Sequence, residues 1–132
     1  MNAEEVVGSA LVLIANHYPR HDLSPSWIGE QLGISPADLD SAFLRNRSTT
    51  CGLSIQTYRL SRLFERITVD PETPLLKHVL SCGLHSIQSA DEQFQTSFGI
   101  TLTAFHSVSE RACADRLHRR NHPHPSDLII NE

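Results

Sequence analysis

The chain has 132 residues, 39% of them apolar, and carries a net charge of −4 from eleven Lys and Arg against fifteen Asp and Glu. That balance describes a folded chain with one or two small cores and excludes a wholly disordered one. No apolar run approaches the roughly 18 residues a bilayer-spanning helix needs. The acidic opening "MNAEEVVGSALVLIANHY" is also unlike a secretory signal, so a cytoplasmic protein is expected.

Proline and glycine punctuate the chain, because Pro suits the first helical turn and Gly the left-handed residue just past the last. The first helix, "AEEVVGSALVLIANHY", sets Val6, Val7, Ala10, Leu11, Leu13 and Ile14 near helical spacing, with Glu4 and Glu5 at its positive end. "SPSWIGEQLG" opens with Ser24 as cap and Pro25 in the first position and stops at Gly33. "SPADLDSAFLRNR" repeats the device with Ser35 and Pro36, placing Leu39 and Phe43 on one face. A longer connector over 54–67 buries Ile55, Tyr58, Leu63 and Ile67 and is expected to display Arg59, Arg62 and Arg66 opposite. "TPLLKHVLSCG", "SIQSADEQFQTSFG" and "TLTAFHSVSERACADRLHRR" complete seven helices, with no alternating strand pattern, so the class is all-α.

A short helix, a tight turn and a second short helix occur twice, over 24–47 and 73–98, on either side of the connector. That is a duplicated helix-turn-helix, in which the first helix of each pair braces the second and leaves it one free face. The units are expected to divide at 1–68 and 69–120, with 121–132 a flexible tail.

The arrangement resembles the DNA-binding domain of the AraC/XylS family of bacterial transcription regulators. "LSPSWIGEQLGISPADLDSAF" carries the first half of the resemblance, with Gly29 in place of the family's small alanine. "GLHSIQSADEQFQTSFGITLTAF" carries the second through Gly83, Ser86, Phe94, Phe98, Gly99, Thr101 and Phe105, with Leu84 for the usual phenylalanine. Core positions match while charged positions do not. Arg or Lys is usual in the family around Ser41 and Leu44, and again where Glu92, Gln95, Thr96 and Ser97 stand; Leu102 replaces a proline and His106 an arginine. "RNRSTTCG" adds about four residues to the family's usual turn between Phe43 and Gly52.

Charge decides what that means. Residues 41–66 hold Arg45, Arg47, Arg59, Arg62 and Arg66 against Glu65 alone, whereas 83–110 hold no Lys or Arg. Cations on phosphates supply most non-specific affinity for duplex DNA. A carboxylate reads the N4 donor of cytosine only where positive charge nearby holds the helix in the groove.

Two functions fit. In the first, the chain is a transcription regulator that binds duplex DNA mainly through its first unit. Ser41, Asp40, Arg45 and Arg47 then make the main contacts, Arg59 and Arg62 support them, and Gln88, Ser89 and Thr96 add weaker polar ones. In the second, the domain has lost independent DNA binding and engages another regulator or RNA polymerase through Asp91, Glu92 and Gln95.

Other chemistry has little support. No nucleophile motif, phosphate-cradling glycine loop or HExxH occurs, so no enzyme, cofactor, small-molecule effector or membrane partner is expected. His78, Cys82 and His85 are spaced for a metal but lack an obvious fourth ligand, so no metal is expected there. Cys51, Cys82 and Cys113, odd in number and widely spaced, read as reduced thiols.

Overall fold

Side-chain caps open most of the helices in the computed structural model, which describes residues 2–121, with side chains through 118. The tail expected beyond Asn121, with His122 and His124, lies outside the described residues. In α1 (Ala3–His17) the Asn2 side-chain Oδ1 accepts from the Glu5 N–H at 2.8 Å. Helices α2 (Pro25–Leu32) and α3 (Pro36–Arg47) start as their Ser-Pro pairs dictate, with Ser24 accepting from the Trp27 N–H and Ser35 from the Asp38 N–H. Gly33 closes α2 at φ 72°, and Ser48 closes α3 at φ 57°, a left-handed conformation seldom taken by a side chain other than glycine's.

The connector is longer than its apolar spacing implies. Thr50 accepts from the Leu53 N–H, so α4 begins at Cys51 and runs to Val69. Most of "RNRSTTCG" is thereby helical, in α3 or α4, and only 48–50 form the turn. Helices α5 (Leu75–Ser81), α6 (Ile87–Phe98) and α7 (Leu102–Asn121) follow, and the described residues contain no strand, giving the expected all-α fold.

Two apolar cores sit side by side along α4. Val7, Ala10, Ile14, Ile28, Leu39, Phe43 and Ile55 build the first. Leu60, Leu63, Ile67, Val79, Ala90, Phe94 and Leu102 build the second, which is extended by rings of Phe64, Phe98 and Phe105 whose centroids lie 4.5–4.8 Å from their nearest aromatic neighbours. Gly29 is explained by the turn it meets, because a Cβ there would lie 2.6 Å from the Ile34 carbonyl oxygen.

The two units meet at the loop between α1 and α2. Arg59 of α4 donates from Nε to the Tyr18 carbonyl at 3.0 Å and from Nη2 to the Arg20 carbonyl, while His21 Nδ1 donates to the Gly83 carbonyl at 3.2 Å. Gly83 has φ 85°, and a Cβ on it would run into the Tyr18 carbonyl and the Arg59 guanidinium. This differs from the solvated arginine face expected on the connector. Arg59, Arg62 and Arg66 are all half-buried, and the side of α4 left to water is instead that of Leu53, Thr57, Ser61, Glu65 and Thr68.

Candidate nucleic-acid interface

The second helix of each unit has the free face that its fold requires. On α3, Leu39, Ala42 and Phe43 point inward, leaving Ala37, Ser41, Leu44, Arg45 and Arg47 exposed. Arg45 and Ser41 rim a groove of about 310 Å³ between α3 and the start of α1. Neither Arg45 nor Arg47 makes a hydrogen bond or ion pair among the described residues, so both guanidinium groups are available to a ligand. Leu44, 53% exposed between them, is an apolar surface residue that the charge pattern does not single out.

On α6, Ala90 and Phe94 point inward. The outward rib is Gln88, Glu92, Gln95 and Thr96, all exposed, with Glu92 at its centre. The Thr96 hydroxyl donates to the Glu92 carbonyl at 3.0 Å, which commits its proton to its own helix. Ser89 is off this rib: it is half-buried, accepts from Gln93 Nε2 at 3.1 Å, and lines a cleft of about 240 Å³ between the two units.

Two acids singled out in the sequence perform the same local task in both units. Asp40 Oδ1 accepts from the Cys51 N–H at 3.1 Å, at the first residue of α4. Asp91 Oδ1 accepts from the Thr103 N–H at 2.8 Å, and the Thr103 hydroxyl meets both Asp91 oxygens at 3.0 Å, at the start of α7. Each carboxylate satisfies a donor that the next helix leaves open and sits favourably at its positive end. The signal was present in the sequence, since Asp40 and Asp91 fall at the same distance from their capping serines, Ser35 and Ser86.

The connector arginines are placed elsewhere. Arg59 is tied to the two carbonyls above, and burial pushes its guanidinium below its ordinary value. Arg62 Nη1 donates to Glu65 at 2.6 Å, and the same guanidinium lies 5.7 Å from the Tyr18 ring centroid. Trp27 is a half-buried anchor, with the His17 ring edge-on at 5.0 Å and Arg20 4.7 Å above it.

Among the described residues the histidines and cysteine with metal-like spacing lie apart. His78 Nε2 donates to the Asp70 carbonyl at 2.7 Å, whereas the His85 ring lies beside His21 at 5.0 Å, so the H-x3-C-x2-H spacing does not converge. No group of three or more His, Cys, Asp or Glu among the described residues is placed to hold a metal ion. All three cysteines are free. Burial, with Asp40 adding to it, pushes the Cys51 thiol up to about 12. The Cys82 thiol is likewise raised by burial, against the opposing pull of Arg66, Arg62 and Arg59.

No family model matches the chain, and no curated protein matches it. Solved structures do. The C-terminal domain of AraT, a response regulator from Geobacillus stearothermophilus, superposes with a TM-score of 0.73 at 17% identity, covering 78% of this chain and 84% of that one. The C-terminal domain of the two-component response regulator yesN from Fusobacterium nucleatum gives 0.67 at 15% identity, covering 74% and 93%. A DNA-binding transcriptional dual regulator from Escherichia coli K-12 gives 0.64 at 23% identity, covering 82% and 98%. At these identities the likeness establishes architecture and leaves function to the residues. The chain has the seven-helix AraC-type fold, two helix-turn-helix units on one connector.

Proposed function

We propose that this chain is an AraC-type transcription regulator that binds duplex DNA mainly through α3, with α6 making a weaker, polar contact. The observation that carries the reading is the state of the cations on the two outward helices. Arg45 and Arg47 are the only ones, both are exposed, and neither is paired among the described residues. A guanidinium that already holds a carboxylate or carbonyl, as Arg59 and Arg62 do, has less to offer a phosphate. The resemblance to a structure described as a DNA-binding transcriptional dual regulator adds support from the fold. Gln88 and Gln95 on the α6 rib suit hydrogen bonding to bases, which needs the first unit to hold the duplex in place.

The test is titration with genomic duplex fragments at two salt concentrations. Selective binding that weakens with salt is expected, and Arg45→Ala and Arg47→Ala should each lower affinity and flatten the salt dependence by about one unit of slope. Salt-independent binding, or binding indifferent to both substitutions, counts against it.

A second reading rests on Glu92, whose carboxylate occupies the middle of a rib with no cation on its helix. That face suits a basic protein surface, such as one on another regulator or on RNA polymerase, with Gln95 beside it and Asp91 committed inward. No duplex binding at low salt, together with a co-purifying protein released by Glu92→Arg, selects this reading over the first.

A further inference from the structure

A single leucine on an outward helix face is an ordinary surface residue, and its meaning depends on what flanks it. Leu44 is 53% exposed and follows Ala37 and Ser41 at i, i+4 and i+7, on one rib of α3 opposite the buried Leu39, Ala42 and Phe43. At about 100° per residue, Arg45 lies roughly 70° to one side of that rib and Arg47 roughly 90° to the other. Two exposed cations, both unpaired among the described residues, thus flank a rib that carries no charge.

That layout fits a groove with charged walls. Arginines on the flanks meet phosphates, which fix position without reading sequence, and the residues between them meet the base edges. A leucine side chain has neither a donor nor an acceptor to offer an edge. The major groove presents hydrogen-bonding groups at every base and one apolar group, the C5 methyl of thymine. Against cytosine or guanine, Leu44 would strip water from a donor or acceptor and put nothing in its place. The equivalent rib of α6 is Gln88, Glu92 and Gln95, polar throughout, so an apolar reader at this register belongs to the first unit alone.

We propose that Leu44 is a specificity-determining residue that selects a thymine in the duplex by packing on its C5 methyl group. The inference rests on the function proposed above, in which α3 approaches duplex DNA, and adds which base edge it prefers there. Arg45 and Arg47 hold the helix in the groove, and Leu44 distinguishes one sequence from another. 5-Methylcytosine carries the same methyl at the same ring position and should satisfy the same contact.

The experiment starts from a preferred duplex that the full chain selects out of random sequences, and replaces each thymine in turn by deoxyuridine, which lacks only the methyl. Fluorescence anisotropy at low salt reads the affinity of each duplex. At one thymine the replacement should weaken wild-type binding about fourfold, the worth of one buried methyl group. Leu44→Ser should bind the thymine and uracil duplexes equally. At that position 5-methylcytosine paired with guanine should bind the wild type more tightly than cytosine paired with guanine, by a similar factor. Arg45→Ala should weaken binding to the thymine and uracil duplexes alike and leave their ratio unchanged, which separates holding from reading. Absence of any duplex binding overturns this inference together with the function it rests on. Duplex binding with no methyl-sensitive position, or with the same sensitivity in Leu44→Ser as in the wild type, overturns this inference alone.

Discussion

The two helix-turn-helix units match residue for residue through their second helices, yet they present opposite chemistry to solvent. Ser35 and Ser86 cap α3 and α6, Asp40 and Asp91 reach forward to the next helix, Phe43 and Phe94 fill the cores, and Ser48 and Gly99 end the helices left-handed. On the same register Ser41 stands opposite Glu92, Leu44 opposite Gln95 and Arg45 opposite Thr96. The caps, the forward-reaching acids and the buried phenylalanines are shared, whereas Leu39 and Ala42 stand opposite Ala90 and Gln93 and the outward positions differ. The residues that cap and fill each unit are thus separate from those that face outward, and the outward set can change without the fold.

The strongest way to break this equivalence is through the cores. Phe43→Ala and Phe94→Ala each remove a fully buried ring, a change that costs about 3–5 kcal/mol. Phe94 also packs against Phe64, Phe98 and Phe105, and aromatic pairs add about 0.5–1.5 kcal/mol beyond their buried area. Urea denaturation should therefore place Phe94→Ala at the top of that range and Phe43→Ala lower. The reverse order would show the first core to be the tighter one.

The junction between the units comes next in size. Gly83→Ala forces a side chain into the left-handed region and into the Tyr18 carbonyl, at an expected loss of about 3 kcal/mol. Arg59→Met keeps much of the bulk but leaves the Tyr18 and Arg20 carbonyls without their donor, for a loss of about 2 kcal/mol. Amide exchange over 17–23 should accelerate in both variants. If instead only the remainder of α4 loosens, Arg59 braces its own helix and does not join the units.

How much of this was legible in the sequence follows from the range of the interactions involved. Ser24, Ser35 and Ser86 cap by bonds to their own neighbours, so the starts of α2, α3 and α6 were readable from the caps and Pro25 and Pro36. The inward residues of α3 and α6 followed from period and register. Arg59, by contrast, bonds to carbonyls about forty residues earlier in the chain, and helical spacing alone makes it look like one side of a solvated stripe. The local spacing of His78 to Cys82 and His85 raises a metal only to leave it without a fourth ligand, whereas the surroundings of His78 come from Asp70 and the arginines of α4. Asp40 and Asp91 are visible in the sequence as acids near the outward faces of α3 and α6. Their shared role needed only a comparison of one unit with the other.

A smaller effect is expected at the outward surfaces, where it is read in binding. Arg45→Ala and Arg47→Ala should each weaken duplex binding roughly three- to tenfold at low salt, as loss of one phosphate contact does, with no more than about 0.5 kcal/mol change in folding stability. Unfolding by either substitution would contradict the exposed, unpaired placement of both side chains.

The smallest change tests the second unit directly. Glu92→Gln keeps the shape of the side chain at the centre of the α6 rib and removes only its charge, so the α6 cap at Ser86 and the Asp91 bond to Thr103 persist. If α6 lies near the duplex, deleting one carboxylate relieves repulsion from the phosphates, and affinity should rise about two- to fivefold at low salt and converge with wild type at high salt. If Glu92 accepts from a cytosine N4 donor, the substitution instead weakens binding to the preferred fragment and leaves non-specific fragments nearly unchanged. If α6 faces a protein, duplex affinity stays where it was while capture of the partner falls. Charge removal at one residue thus separates a helix that tolerates DNA from one that reads it and from one that has turned to another ligand, because the three differ in the sign of the change and in its dependence on salt.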